Sequence, residues 1–74
     1  MTDGAITTSL KAKFLADSTV RSADISVDTN NGVVTLSGTA PSQAAHNLAL
    51  ELARNTDGVK RVDDQVKVLE TSTR

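Results

Sequence analysis

From Ile25 to Thr39 the apolar residues fall largely on alternate positions, and Asn30-Asn31-Gly32 breaks the run near its middle. A period of two puts Ile25 and Val27 on one face of a strand and Ser26 and Asp28 on the other. Val33-Val34-Thr35-Leu36-Ser37-Gly38-Thr39 resumes the alternation with β-branched residues. The Asn and Gly between the runs tolerate positive φ, so the pair reads as a hairpin. A hairpin commits the chain to a sheet, and a sheet with one apolar face must be covered. With Val34, Leu36 and Gly38 facing inward, Gly38 either leaves a gap where a helix packs closely or marks a bulge or a strand end.

The cover is encoded on both sides of the hairpin. Thr2 and Asp3 suit a helix N-cap, and Ile6, Leu10 and Phe14 follow with Ala5, Ala12 and Leu15 beside them. This pattern predicts an amphipathic helix near residues 4–16, with Thr7 and Lys11 on its other face. Asp17-Ser18-Thr19 is read as a connecting loop, because such residues hydrogen-bond their own backbone. Pro41 and Ser42 mark a second helix start, and Ala45, Leu48, Ala49, Leu52 and Ala53 form an unbroken stripe whose small members imply close packing. Asp57-Gly58 is read as the end of that helix. From about Lys60 to Leu69, the shared parity of Val62, Val66 and Val68 predicts a third strand, with Asp64 as the polar exception on its inner side.

Residues 70–74 have no apolar side chain to bury and are expected to fray. The expected class is therefore α+β, in the order helix-strand-strand-helix-strand, as a single domain over 1–74 ordered from about 4 to 69. Its two helices would pack on one face of a three-stranded sheet.

Composition closes several functional routes. A chain of 74 residues can build one core only. It has no cysteine, hence no disulfide and no thiolate metal site. With 8 Lys plus Arg against 9 Asp plus Glu, a net charge of −1 gives no domain-wide attraction for DNA. No apolar run exceeds three residues, so no segment is expected to span a membrane. The start does not follow the secretory signal pattern, so the chain as it stands is expected to be cytoplasmic or already processed.

Residues capable of chemistry are scattered. His46 is the sole histidine and lies off the Ala45-Leu48-Leu52 stripe, so it is read as solvated. Neither a second His four residues on nor a Cys accompanies it, so no metal site is expected. Asp63-Asp64 is the one adjacent carboxylate pair, but neighbours on a strand point to opposite faces. The serines lie in no Gly-x-Ser-x-Gly elbow, and the glycines form no phosphate loop before a helix. The expectation is no catalytic residue, no cofactor and no enzyme activity.

Ile25-x-Val27, Asn31-Gly32-Val33-Val34-x-Leu36-x-Gly38, Ala49 and Ala53, Gly58-Val59-x-x-Val62 and Val66-x-Val68 stand in order along the chain. In type and spacing this set resembles the BON domain of bacterial OsmY-like and nodulation proteins. The resemblance implies the element order derived above. It also implies a noncatalytic module of the bacterial envelope, often exported to the periplasm, often paired, and linked to phospholipid binding and osmotic or envelope stress. This chain holds one copy and no internal repeat.

Within that frame the cations stand out: Arg54 near the end of the second helix, and Lys60 and Arg61 just past Gly58 and Val59. One reading is that they complement the helix dipole. The other is that Arg54, Gly58, Val59, Lys60, Arg61 and Lys67 form a patch facing an anionic phospholipid surface or a partner protein, each cation contributing about 1 kcal/mol near an anionic surface. No Trp or Tyr is present to anchor such a contact. Two alternatives belong to other classes. One is a self-associating scaffold that uses strand edges or the outer face of the third strand. The other is a KH-like RNA-binding module, against which stand the missing Gly-x-x-Gly loop and the acidic balance.

Overall fold

A computed structural model describes residues 2–69, so the fraying expected of 70–74 lies outside the described residues. Helix α1 spans Asp3–Ala16, and the Thr2 hydroxyl caps it by accepting from the Ala5 amide at 3.1 Å. Its inward row is Ile6, Leu10 and Phe14. Ala12 and Leu15, expected beside that row, are exposed. At about 100° per residue they lie roughly 160° and 100° around the helix from Phe14.

Asp17-Ser18-Thr19 is not a plain loop. The Asp17 carboxylate accepts from the Thr19 and Val20 amides at 2.9 and 3.2 Å, starting a one-turn helix α2 at Ser18–Arg21. Val20 is only 2% exposed and pins that turn to the core. The same propensity for local side-chain hydrogen bonds that predicts a break in α1 here caps a new helix.

Strands β1 (Asp24–Asn30) and β2 (Val33–Ala40) are antiparallel, joined by Asn31-Gly32 with φ of 55° and 82°. Positive φ at both turn residues is the type I′ geometry that the Asn-Gly pair predicts. The Asp3 carboxylate secures this turn, accepting from the Asn31 and Gly32 amides at 2.9 and 3.1 Å. Asp3 therefore reaches across to the hairpin, and Thr2 alone caps the helix.

Helix α3 runs Gln43–Arg54, capped by the Ser42 hydroxyl on the Ala45 amide at 3.2 Å. Its fully buried positions are Ala45, Ala49 and Ala53, one every four residues, flanked by half-buried Leu48 and Leu52. Three methyl groups in a row let the helix axis approach the sheet, as the stripe predicted.

The helix ends at Asn55–Thr56, earlier than the expected Asp57-Gly58. The buried Thr56 hydroxyl turns back to the Leu52 carbonyl at 2.9 Å, and Lys13 Nζ of α1 donates to that hydroxyl at 3.2 Å. A cation from a distant helix thus closes the carbonyl end. Gly58, with φ of 90°, serves the following loop instead.

Strand β3 (Arg61–Val68) pairs parallel to β2, giving the order β1-β2-β3 with β1 and β3 as edges. Helix α1 packs over β1, α3 packs over β2 and β3, and the two helices touch. The core lies between that helical layer and the inner sheet face, around Ile6, Leu10, Phe14, Val20, Val34, Leu36, Ala49 and Ala53. The expected α+β class and element order hold, with α2 as an addition.

Gly38 resolves its two readings differently from either. Its φ is 120°, and a Cβ there would run into the Asp24 carbonyl oxygen of β1. The close approach is made by the backbone of the neighbouring strand, and Gly38 itself stays exposed.

Candidate functional site

The cations grouped by sequence separate in three dimensions. Lys60 and Arg61 stay adjacent and exposed where β3 begins, beside the hairpin turn. The Lys60 amide donates to the Gly32 carbonyl at 2.8 Å, which fixes the backbone there. Val59 is half-buried against the core, while Gly58 is exposed. Lys67 lies opposite Thr39 whereas Arg61 lies opposite Val33. Six strand positions separate these two cations, about 20 Å at 3.3 Å per residue. Arg54 is exposed at the end of α3, and its charge acts on Asp64 of β3. Of these grouped cations, Lys60 and Arg61 alone remain side by side, at the start of β3.

His46 and Asp64 belong together. His46 Nε2 lies 2.6 Å from Asp64 Oδ2, tying α3 to β3. The imidazole keeps 13% of its exposure and the carboxylate 35%, so the expected solvated histidine is instead packed and paired. The pairing follows from parity: Asp64 faces the helices from the inner row of β3, opposite Leu36 of β2. His46, next to Ala45 on α3, is the group that meets it. The other ring nitrogen, Nδ1, has Gln43 Nε2 at 2.9 Å and Asn47 Oδ1 at 3.1 Å. A neutral ring accepts from Gln43 and a protonated ring donates to Asn47, so both nitrogens are occupied in either state.

The hydrogen bond to Asp64 holds the His46 pKa above its usual 6.5, against the opposing effect of burial. Burial alone would raise the Asp64 carboxyl, but the Val66 amide, His46 and the Arg54 charge together hold it below 3.8. The signs define a pH window. The His46 contribution is complete below pH 6.5 and fades as pH rises through the raised folded value. The Asp64 contribution is complete above pH 3.8 and fades as pH falls through the lowered folded value. With solvent screening the pair stabilises by about 0.5–1 kcal/mol. Urea denaturation of wild type and His46→Ala should therefore differ most between about pH 4 and 6.5. The difference should narrow toward alkaline pH, and a gap that widened there would contradict this assignment.

A third feature has no counterpart in the sequence reading. A cleft of about 220 Å³ opens between the second half of α1, helix α2 and the start of β1. Phe14, Val20, Ala23 and Ile25 form its floor, with Lys11 and Arg21 at the rim. Leu15 lines it while remaining 66% exposed. Among the described residues neither Lys11 nor Arg21 has an ion-pair partner. The cleft depends on α2, which places Val20 and Arg21 against α1. Reading 17–19 as a loop hides it, although Asp17 two and three residues ahead of Thr19 and Val20 is the capping signal that reveals it.

Among the described residues no three His, Asp or Glu side chains converge on a cation position, and no helix is long and apolar enough to cross a membrane.

Helices on one face of a mixed three-stranded sheet, with a basic-rimmed cleft and a basic strand edge, define a small α+β module. The chain belongs to the BON domain family, whose model matches residues 2–70. It is 48% identical to "Osmotically-inducible protein Y" of Escherichia coli (strain K12) over 65 residues, 88% of this chain and 32% of that protein. It is 46% identical to "21 kDa hemolysin" of Actinobacillus pleuropneumoniae over 61 residues, 81% of this chain and 30% of that protein. With "Outer membrane lipoprotein DolP" of Haemophilus influenzae the identity is 35% over 68 residues, 92% of this chain and 35% of that protein. The chain thus spans about a third of the length of these three relatives.

Proposed function

We propose that this domain is a noncatalytic module of the bacterial envelope that binds anionic phospholipid surfaces through the cleft between α1 and α2. The observation that carries this reading is the combination there of the exposed Leu15 with the cations Lys11 and Arg21, which have no ion-pair partner among the described residues. An apolar group that enters the interface beside cations that meet headgroup phosphates is the minimal membrane-surface anchor. It supplies the insertion group that the lack of Trp and Tyr leaves wanting. The envelope setting is supported by the names of the relatives, one osmotically induced and one an outer membrane lipoprotein.

The strength follows from the parts. Two cations contribute about 1 kcal/mol each, and burying the exposed part of Leu15 adds about 1–2 kcal/mol. The sum corresponds to a dissociation constant near millimolar. Co-sedimentation with phosphatidylglycerol vesicles at millimolar lipid and low salt tests this. The chain is expected to pellet with them, to remain in solution with phosphatidylcholine vesicles, and to be released as salt rises. Lys11→Glu with Arg21→Glu, or Leu15→Asp alone, should abolish pelleting. Absence of binding to the anionic vesicles at low salt refutes the lipid assignment and leaves a partner protein as the ligand.

The Lys60–Arg61 edge offers a second reading, because its two cations are adjacent and both exposed. If Lys60→Glu with Arg61→Glu removes binding while the cleft variants retain it, the site lies at that edge.

A further inference from the structure

Strand β3 is an edge of the sheet, with β2 on one side and nothing on the other among the described residues. Backbone amides alternate sides along a strand. The Leu69 amide donates to the Ala40 carbonyl of β2. The amides of odd-numbered residues in β3 therefore face β2, and those of Val62, Asp64, Val66 and Val68 face the open edge. Such a row of unused donors and acceptors is a template for another strand.

One of these donors is already taken. The Asp64 carboxylate folds along its own strand and accepts from the Val66 amide at 3.0 Å. Its other oxygen is held by His46. A charged residue turned inward at the centre of an edge strand is a known means of discouraging strand addition.

We propose that the open edge of β3 is a self-pairing surface for a second copy of this chain, held closed by the Asp64 carboxylate. The occupant follows from charge complementarity. An antiparallel partner centred on Gln65 places Lys67 of each copy opposite Asp63 of the other, on the outer face where all four side chains are exposed. On the inner face the same register sets Val62 opposite Val68. These residues supply the directly opposed pairs that stabilise antiparallel strands. A register shifted to put Asp64 opposite itself would oppose Arg61 to Lys67, a like-charge contact.

The other edge is no substitute. Its outer face offers Asp24 and Asp28 with Ser26 and Asn30, so two copies of β1 would meet without a cation. In the Gln65-centred pair, the Val66 amide would donate to the Asp64 carbonyl of the second copy. The Asp64 side chain competes for that same donor and, once paired, would face Val66 across the seam.

Sedimentation velocity from micromolar to millimolar protein tests the proposal. Asp64→Thr, which keeps strand propensity and removes the carboxylate, is expected to raise the self-association constant at least about tenfold over wild type, or about 1.4 kcal/mol. Adding Lys67→Glu should return it to the wild-type value, and adding Asp63→Lys to that double variant should restore association. An Asp64→Thr protein no more associated than wild type, or one indifferent to Lys67→Glu, would overturn the proposal. Amide hydrogen exchange on the wild-type chain reads the closed state without any substitution. Val66 is expected to exchange more slowly than Val62 and Val68, and equal exchange at the three would sink the latch.

Discussion

Phe14→Ala is expected to lower the stability of this domain by about 3 kcal/mol or slightly more, at the lower end of the roughly 3–5 kcal/mol range for such truncations. Phe14 is the only aromatic residue in the chain and is 8% exposed. It closes the inward row of α1 and also forms the floor of the cleft against Val20 and Ile25. Because that cleft opens to solvent, water can enter the space the ring vacates, which limits the cavity penalty. A domain of this size loses roughly 4–8 °C of Tm per kcal/mol. Thermal denaturation followed by circular dichroism should therefore show a drop of about 12 °C or more. A shift of only a few degrees would mean that the ring is not a core group.

The second large effect is expected at Gly38, where the damage is to the backbone. A φ of 120° lies where L side chains are strained, and the Asp24 carbonyl occupies the space a Cβ would take. The backbone strain costs about 1–3 kcal/mol and the forced separation of β1 from β2 a comparable amount. Gly38→Ala should thus destabilise by about 2–6 kcal/mol. The same substitution at Gly4 provides the contrast. Gly4 sits within α1 with nothing near its would-be Cβ. There Ala should stabilise by about 0.5–1 kcal/mol through helix propensity. Urea titrations of the two variants should move in opposite directions, and a Gly38→Ala protein as stable as wild type would refute the account of its close approach.

The parts of this fold legible in the sequence are those that repeat. The alternation through β1 and β2, the Asn31-Gly32 turn and the alanine row of α3 each restate one signal several times, and each stands where its period places it. The parts that escaped depend on a single residue meeting a distant one. Helix α2 is one turn long, too short to show a period, and rests on the Asp17 cap and the burial of Val20. The end of α3 is set by Lys13, more than forty positions earlier. Asp64 announced itself by its inward parity, but its partner His46 lies 18 residues away on another element. Neither residue alone carries the information that they meet. The basic-rimmed cleft was hidden for the same reason, since Lys11 and Arg21 become neighbours only when α2 folds back on α1.

The clasp of Asp3 on the hairpin turn also bears on where this unit can be cut. The apolar core starts at Ile6, and a boundary drawn from buried residues would place the first dispensable position just before it. Yet the Asn31 and Gly32 amides depend on a carboxylate 28 and 29 positions earlier, at the start of α1. Trimming to the edge of the core would leave both donors to water and remove the Thr2 cap as well. For excision, transplantation or circular permutation, the working limit of this module is the polar pair Thr2–Asp3, ahead of its first buried side chain.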